Sequence, residues 1–385
     1  MGKDDKSFYK SFVEWMKNTW YGMPDSEAVE ALIMARYSPE EAELLTDFPF
    51  MPKSLVELSE WKNIPMKELE DKLLDLARKG LVNRFVKNDK VHYSLNDAFF
   101  MLRTLGWQGR TDEYSRKLAP IINKYFLTGF MEPWKATKYQ GLRALPIETT
   151  IEEGRQVLPY EEVKKVLDSF SYFTVSACPC THRKNLDPDS HNCEYPIERC
   201  LHFDRLGHYI VEQGMGREIT RRETEEILRK CEELGLVHGI SNYQEKPDTI
   251  CNCCKCCCMW FEAHDKLNHP MSMSPSGYRL HINDATCVGC GLCMKRCPME
   301  AIEMREAFEV KGRKTLITRE GKGNQELVNK LGRVAGVNTE LCIGCGVCAY
   351  KCPTQSLLLK QVESLEEPPK TVRDWAMLFM ADQHK

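Results

Sequence analysis

Cysteine is the residue type in this chain that is best suited to chemistry. The sequence holds 19 cysteines, with none before Cys178, eleven from Cys178 to Cys258 and eight from Cys287 to Cys352. The charged residues at positions 3–6 do not fit a secretory signal peptide, so we expect the protein to be cytoplasmic. Because cytoplasmic thiols are kept reduced, we expect the cysteines to bind metal rather than to form disulfides. Soft thiolates select zinc or iron-sulfur clusters, and the spacing of the cysteines must decide between them.

Two copies of one motif account for the C-terminal cysteines. Each copy reads C-x2-C-x2-C-x3-C-P, the first starting at Cys287 and the second at Cys342. This is the bacterial ferredoxin pattern, in which the fourth cysteine of each copy ligates the other cluster. A zinc ribbon would use paired C-x2-C knuckles and would leave half of these thiols idle.

The segment from about 278 to 360 therefore resembles a dicluster ferredoxin. The resemblance implies two [4Fe-4S] clusters with crossed ligands. One cluster would take Cys287, Cys290, Cys293 and Cys352, and the other Cys342, Cys345, Cys348 and Cys297. The connection from about 305 to 335 departs from the simplest ferredoxins, because it carries eight basic residues against four acidic ones. It is either a docking site for an acidic electron partner or a solvated loop.

Ten further cysteines form a dense middle segment: Cys178, Cys180, Cys193, Cys200, Cys251, Cys253, Cys254, Cys256, Cys257 and Cys258. The last six lie within eight residues and cannot all face one metal, because alternate strand residues point apart and only i, i+3 and i+4 share a helix face. The economical interpretation is two more [4Fe-4S] clusters, with eight ligands drawn from the ten. The alternatives are one cluster plus a zinc ion, or a non-cubane cluster bridged by adjacent cysteines. Cys231 is distant in sequence from the other cysteines, and we expect it to pack in the hydrophobic core as a small apolar side chain rather than to bind metal.

The middle cysteines together with the two ferredoxin motifs resemble a family of multi-cluster 4Fe-4S proteins of anaerobic bacteria and archaea. The resemblance covers about residues 145 to 360 and rests on the C-x-C, two spaced cysteines, the C-N-C-C-x-C-C-C run and the motifs that follow. The family typically has Arg soon after the second cysteine, where this chain has Thr181, His182 and Arg183. His182 and His191 could ligate iron, but histidines near clusters more often donate to a sulfur or pack, so neither is expected to be a ligand.

The N-terminal elements carry no cysteine. Residues 1–25 predict a helical lead-in, packed on its own protein, with an apolar stripe of Phe8, Phe12, Trp15, Met16 and Trp20. The pattern that follows is three helices and a hairpin. Ser38 and Ser54 each stand three residues before a Glu, as in a capping box, and the third helix follows Pro65 and ends at Gly80.

Strands at 82–87 and 91–95 complete a pattern that resembles a winged helix-turn-helix domain. The polar face of the candidate recognition helix carries four basic residues against four acidic ones. A helix that reads DNA needs a net positive face to neutralise phosphates, so a scaffold or protein-docking role is favoured over DNA binding.

The sequence as a whole predicts an α+β protein of five segments. These are a helical lead-in (1–25), a winged-helix-like domain with a helical extension (26–145), a cysteine-rich iron-sulfur domain (146–277), a dicluster [4Fe-4S] ferredoxin domain (278–362) and a C-terminal docking tail (363–385). The tail presents Trp375, Met377, Leu378, Phe379 and Met380, which need a surface on this chain or on a partner subunit.

The expected function is electron transfer. The net charge of -3 argues against a strongly basic nucleic-acid surface, and no G-x-G-x-x-G, Walker loop or nucleophile elbow occurs. We therefore expect an iron-sulfur subunit of an anaerobic oxidoreductase complex. It would be cytoplasmic, without a transmembrane segment, and hetero-oligomeric with a catalytic subunit or a soluble electron carrier. The alternatives are a redox-sensing winged-helix regulator and an Fe-S enzyme with its site at the Cys251 to Cys258 run.

Overall fold

The computed structural model describes residues 5–19, 21–152, 158, 160–319, 323–363 and 366–383. By its internal contacts the described chain divides into two compact units. The first unit comprises residues 5–136, 171–220 and 380–383, and the second comprises 137–170 and 221–379. Residues 146–277, predicted as one cysteine-rich domain, therefore contribute to both units.

Helices and strands are interspersed along the described chain. The helices are α1 (Asp5–Met16), α2 (Val29–Arg36), α3 (Pro39–Leu45), α4 (Leu55–Lys62), α5 (Met66–Arg78), α6 (Ala98–Trp107), α7 (Glu113–Tyr125), α8 (Val163–Asp168), α9 (Pro179–Leu186), α10 (Asp204–Glu212), α11 (Arg221–Leu234), α12 (Met259–Leu267), α13 (Leu292–Arg296), α14 (Val347–Tyr350) and α15 (Val372–Gln383). The strands are β1 (Lys53–Ser54), β2 (Val82–Lys87), β3 (Lys90–Leu95), β4 (Leu142–Leu145), β5 (Phe173–Ala177), β6 (Glu198–Phe203), β7 (Gly216–Ile219), β8 (Val237–Ser241), β9 (Thr249–Cys253), β10 (Tyr278–Ile282), β11 (Ile302–Glu306), β12 (Lys314–Arg319), β13 (Gly323–Val328), β14 (Arg333–Val337) and β15 (Leu357–Gln361).

Helix α1 packs on its own protein, as its apolar stripe predicts. Phe12 and Met16 are fully buried, and the Phe12 ring lies 4.7 Å from that of Tyr37. The indole N–H of Trp15 donates to the carbonyl oxygen of Phe48 at 2.8 Å. Trp20, the last residue of the predicted stripe, lies outside the described residues.

The predicted capping signals are confirmed. Ser38 and Ser54 both form complete capping boxes, at the starts of α3 and α4. Helix α5 begins after Pro65, and Gly80 follows its end with φ +74°. Its Leu69, Leu73 and Leu76 are buried, which gives the helix one apolar face.

The hairpin of β2 and β3 has a tighter turn than the sequence predicts. Lys90 pairs with Lys87 in the ladder, so Asn88 and Asp89 alone make the turn, with φ of 50° and 58°. Asn and Asp tolerate this left-handed conformation, which a two-residue hairpin turn requires. The short β1 adds to the edge of β3, so the sheet order is β1-β3-β2. The elements thus follow the predicted order, and the winged-helix likeness stays a prediction.

In the first unit, β5 pairs antiparallel with β6 on one side and β7 on the other. Helix α9 packs directly on α6, because Gly106 leaves no room for a side chain. A Cβ atom at Gly106 would lie 2.4 Å from Pro179 Cα. Gly106 lies inside α6 and permits the close approach of the helix that follows Cys178.

In the second unit, β4, β8 and β9 form consecutive antiparallel pairs. The ferredoxin segment consists of two further antiparallel pairs, β10 with β15 and β11 with β14. Strand β15 closes this segment, with Leu359 opposite Leu280. The hairpin of β12 and β13 is an insertion between the two ferredoxin motifs.

The C-terminal helix α15 buries one face in the chain itself. Trp375 and Phe379 are both 2% exposed, and the Trp375 indole N–H donates to the carbonyl oxygen of Gln140 at 3.2 Å. Met377 and Leu378 remain exposed, at 58% and 38%. Part of the predicted docking tail is therefore internal packing. No helix within the described residues is both long and apolar enough to span a membrane.

Candidate metal centres

The first cavity of the ferredoxin segment brings together cysteines from both motifs. Cys287, Cys290 and Cys293 line it with Cys352 of the second motif, and it encloses about 300 Å³. The rest of its wall is largely apolar, with Met304, Ala335 and Leu357 among the lining residues. Cys287 and Cys293 are buried, whereas Cys290 is exposed.

The second cavity repeats this arrangement with the motifs exchanged. Cys342, Cys345 and Cys348 line it together with Cys297 of the first motif, and it encloses about 330 Å³. Leu280, Ile302, Val337 and Leu359 cover it. The structure thus brings the eight predicted ferredoxin cysteines together in two sets of four, each completed by the other motif.

Glycines let the backbone fold tightly around the two cavities. Gly289 and Gly344 have φ of +67° and +68°, and a Cβ atom on either would lie within 2.4 Å of a backbone carbonyl oxygen. Gly291 and Gly346, also at positive φ, begin the short helices that carry Cys293 and Cys348. Such conformations are open to glycine and strained for other residues. The intervening glycines of the motif are therefore needed for the loop geometry.

Four of the eight sulfurs, those of Cys293, Cys297, Cys345 and Cys348, sit in surroundings that disfavour a free thiolate. Burial raises the pKa of Cys293 to about 11 and that of Cys345 to about 12. Burial likewise raises the pKa of Cys348 well above its ordinary value. A metal-sulfur group supplies the positive charge that lets such thiols lose their protons, so its binding releases protons. The amide of Ala301 donates to Cys297 Sγ at 3.3 Å, a contact that stabilises negative charge on the sulfur.

Four sulfurs from two motifs, glycine loops and an apolar wall suit a [4Fe-4S] cluster in each cavity. A family model described as a 4Fe-4S dicluster domain matches residues 286–356. Ferredoxin-3 of Rhodobacter capsulatus is 33% identical over 79 residues, which cover 20% of this chain and 76% of that protein. The chain belongs to the dicluster ferredoxin family. The putative ferredoxin-3 of Sinorhizobium fredii (strain NBRC 101917 / NGR234) is also 33% identical, over 81 residues covering 20% of this chain and 71% of its own.

No solved structure matches the chain. The ferredoxin likeness accounts for the C-terminal cysteines only, so the middle segment has to be interpreted from its own geometry.

The six cysteines of the run Cys251 to Cys258 fall into two groups in the second unit. The Sγ atoms of Cys254, Cys256 and Cys257 lie within 4.8 Å of one another. Hydrogen bonds with Cys254 and Cys256, and then burial, raise the pKa of Cys257. Cys253 instead contacts Cys251 and Cys258, and these hydrogen bonds raise its pKa well above the ordinary value. The six thiols do not share one face, as the sequence predicts.

The other four middle cysteines, Cys178, Cys180, Cys193 and Cys200, belong to the first unit. Cys178 precedes α9 and contacts Cys180, and this hydrogen bond, followed by burial, raises the pKa of the Cys178 thiol. Cys200 lies buried in β6. The amide of Cys193 donates to Asn185 Oδ1 at 2.8 Å, and the Thr181 hydroxyl donates to Cys193 Sγ at 3.8 Å.

Two arginines beside these sulfurs were not predicted from the sequence. Arg103 Nη2 donates to Cys200 Sγ at 3.7 Å, and the buried Arg199 donates to the Thr181 hydroxyl at 2.6 Å. The charge of Arg199 also favours the thiolate of Cys178. Its position next to Cys200 in the sequence is a signal that could have found it. No such sequence signal exists for Arg103, because it lies in α6, far from Cys200 in the sequence, and meets it only in the folded protein.

The two candidate histidine ligands lie in different surroundings. His182 is buried, and its Nε2 donates to the carbonyl oxygen of Arg110 at 2.6 Å. Burial lowers the pKa of His182, so its ring is neutral near pH 7. This backbone contact fits the expectation that His182 packs rather than ligates. His191 is exposed.

Between the two ferredoxin motifs lies the basic insertion, residues 305–335. It packs on the first motif, since Thr315 Oγ1 donates to the carbonyl oxygen of Thr286 at 3.2 Å and Asn329 Nδ2 donates to that of Cys287 at 3.0 Å. Three large apolar side chains on it are more than half exposed: Phe308, Leu316 and Leu331. Glu320 and Lys322, counted in its predicted charge, lie outside the described residues.

Proposed function

We propose that this chain is the iron-sulfur electron-transfer subunit of an oxidoreductase complex of anaerobic metabolism. The observation that carries the proposal is the pair of four-cysteine cavities, each completed by a cysteine from the other motif. Such clusters exchange single electrons, so two of them in one compact segment can pass an electron from one to the other. Further centres among the ten middle cysteines extend the relay.

The protein's own part in this function is to hold and tune each centre. The walls of the two cavities are largely apolar, and the Ala301 amide donates to the Cys297 sulfur. Hydrogen bonds to sulfur, burial and nearby charge are the means by which a protein sets a cluster's potential. Arg103 acts in the same way on Cys200 in the first unit.

The proposed partner is a catalytic subunit or a soluble acidic electron carrier. The basic insertion supports this, because it contacts the backbone of Cys287 and presents Phe308, Leu316 and Leu331 to solvent. An exposed apolar patch with basic neighbours suits a partner with an acidic rim. A carrier bound there would lie beside the first four-cysteine cavity. We place the complex in the cytoplasm, with the chain as one subunit of a hetero-oligomer.

Two alternative functions are a redox-sensing transcription regulator and an Fe-S enzyme. A redox-sensing regulator is favoured by the element order of residues 39–95, which resembles a winged helix, and is disfavoured by the balanced charge of α5. An Fe-S enzyme would need an open metal site at the Cys251 to Cys258 run. The regulator predicts a nanomolar, sequence-specific DNA footprint, and the enzyme predicts turnover of a substrate by this chain alone.

The test is an EPR-monitored redox titration of the full chain, purified without oxygen. We expect at least about eight iron and eight sulfide atoms per chain, and two cubanes that each take up one electron. The reduced protein should then reduce a one-electron acceptor stoichiometrically. Cys231→Ser is the control, because Cys231 is buried in α11 outside both motifs. A chain that binds less iron, or whose clusters cannot be reduced, would overturn the proposal.

A further inference from the structure

The backbone of the run Cys251 to Cys258 places its cysteines in two groups, one on strand β9 and one in the turn that follows. Strand β9 ends at Cys253, and Cys251 and Cys253 share one of its faces. Asn252 lies between them on the other face, where its Oδ1 is 2.6 Å from His238 Nδ1. The amide of Cys258 then donates to the carbonyl oxygen of Cys254 at 3.1 Å, and α12 begins at the next residue. Residues 254–257 therefore form a closed turn between strand and helix.

This turn gathers three thiols into a compact trio, Cys254, Cys256 and Cys257. Their Sγ atoms lie within 4.8 Å of one another, and those of Cys256 and Cys257 are 3.7 Å apart. That separation is too long for a disulfide, whose S–S bond is about 2.05 Å. Cys254 and Cys257 are 2% and 0% exposed, whereas Cys256 is exposed. The fourth residue of the turn, Lys255, pairs with Glu300.

The spacing of the trio matches one metal ion better than a cluster. Around a tetrahedral ion with metal–sulfur bonds of about 2.3 Å, neighbouring sulfurs stand about 3.8 Å apart. In a cubane each thiolate binds a different iron, so the sulfurs are further apart by roughly an iron–iron distance. The ferredoxin cysteines are an internal comparison: among the described residues, none of those eight belongs to so compact a group.

We propose that Cys254, Cys256 and Cys257 bind a single tetrahedral divalent metal ion, with zinc as the ion that this thiolate set selects. A fourth thiolate or a water molecule completes the site. This deepens the proposed function, on which it rests, because zinc carries no electrons and the relay must pass through the other middle cysteines. The ion pins the end of β9 to the start of α12, and its role is structural.

The test is the metal content of the full chain, purified without oxygen, by elemental analysis together with acid-labile sulfide. We expect about one zinc per chain, with about 12 iron and 12 sulfide atoms from three cubanes. Cys256→Ser should lose the zinc and keep the iron and the sulfide. Protein produced with Co²⁺ should show thiolate-to-cobalt absorption bands that the same variant lacks.

Two matched variants keep the test decisive. Cys256→His retains a zinc ligand and should retain the zinc, which covers the case in which the serine variant does not fold. Cys253→Ser, in the other half of the run, should lose iron and sulfide but not zinc. Substituting Cys178, Cys180, Cys193 and Cys200 in turn identifies any fourth ligand.

The inference is overturned if the wild-type protein holds no zinc and about 16 iron atoms, or if Cys256→Ser loses iron and sulfide together. The second result would indicate a cluster at the trio, including a non-cubane cluster bridged by adjacent cysteines. The EPR signals of the ferredoxin cavities are read in the same samples. They test the proposed electron transfer independently of the zinc.

Discussion

At the scale of single residues, Cys297 and Cys352 differ in position from the other cysteines of their motifs. Each follows the three close cysteines of its own motif, yet lines the cavity of the other motif. We therefore expect a substitution at either position to act on the cluster of the other motif.

Cys297→Ala should destroy the centre of Cys342, Cys345 and Cys348 and spare the centre of Cys287, Cys290 and Cys293. About four iron atoms per chain should be lost. EPR combined with redox titration identifies which signal disappears. Cys352→Ala is the reciprocal control and should remove the other signal. If each variant instead loses the cluster of its own motif, the crossed arrangement is wrong.

At the scale of elements, two of the four basic residues on or next to α5 pair with acidic residues. Lys72 Nζ lies 2.7 Å from Glu68 Oε1, and Lys79 contacts Glu41 at 2.7 Å and Asp75 at 2.5 Å. Lys72 and Lys79 therefore each have an acidic neighbour within ion-pair distance. Phosphate contacts by these lysines would have to compete with those carboxylates.

The full chain should consequently bind DNA only weakly and without sequence preference, with a Kd no tighter than about 1 μM at physiological salt. Fluorescence anisotropy with random and genomic duplexes measures this. Glu68→Gln combined with Asp75→Asn, which frees Lys72 and removes one of the two acidic partners of Lys79, should strengthen binding and steepen its salt dependence. A nanomolar footprint of the unaltered protein on one sequence would favour the regulator over the electron carrier.

At the scale of the whole molecule, the C-terminal helix α15 has one buried face and one exposed apolar face, and only the exposed face is available to a partner. Trp375 and Phe379 are buried and stacked at 5.1 Å, whereas Met377 and Leu378 face solvent. Deleting residues 370–385 would remove both faces together. Loss of a partner after that deletion would not distinguish lost docking from lost stability, so substitutions are the sharper experiment.

We predict that Met377→Ser with Leu378→Ser leaves the iron content unchanged and the free energy of unfolding within about 0.5 kcal/mol, while weakening copurification with the partner subunit. Trp375→Ala should instead destabilise the chain by about 3–5 kcal/mol, because it leaves a buried cavity. Thermal unfolding and pull-down from the native source measure the two effects. Unimpaired copurification of the double variant would show that α15 does not dock a partner.

Much of the local structure could be predicted from the sequence. The capping boxes at Ser38 and Ser54 and the end of α5 at Gly80 were predicted and are present, because each depends on residues within one helical turn. The hairpin turn was predicted one residue too long. Lys90 is in itself compatible with either turn or strand, and only its pairing with Lys87 decides the length.

The sequence by itself determined the ferredoxin chemistry, because the ligands of each motif lie within a few residues and their spacing is a local property of the chain. Tertiary structure alone decided the rest. The approach of Arg103 to Cys200, the burial of Trp375 and the compact trio at Cys254 depend on how distant segments meet or how a turn closes. Such contacts arise from packing, which a pattern of residue types along one segment does not contain.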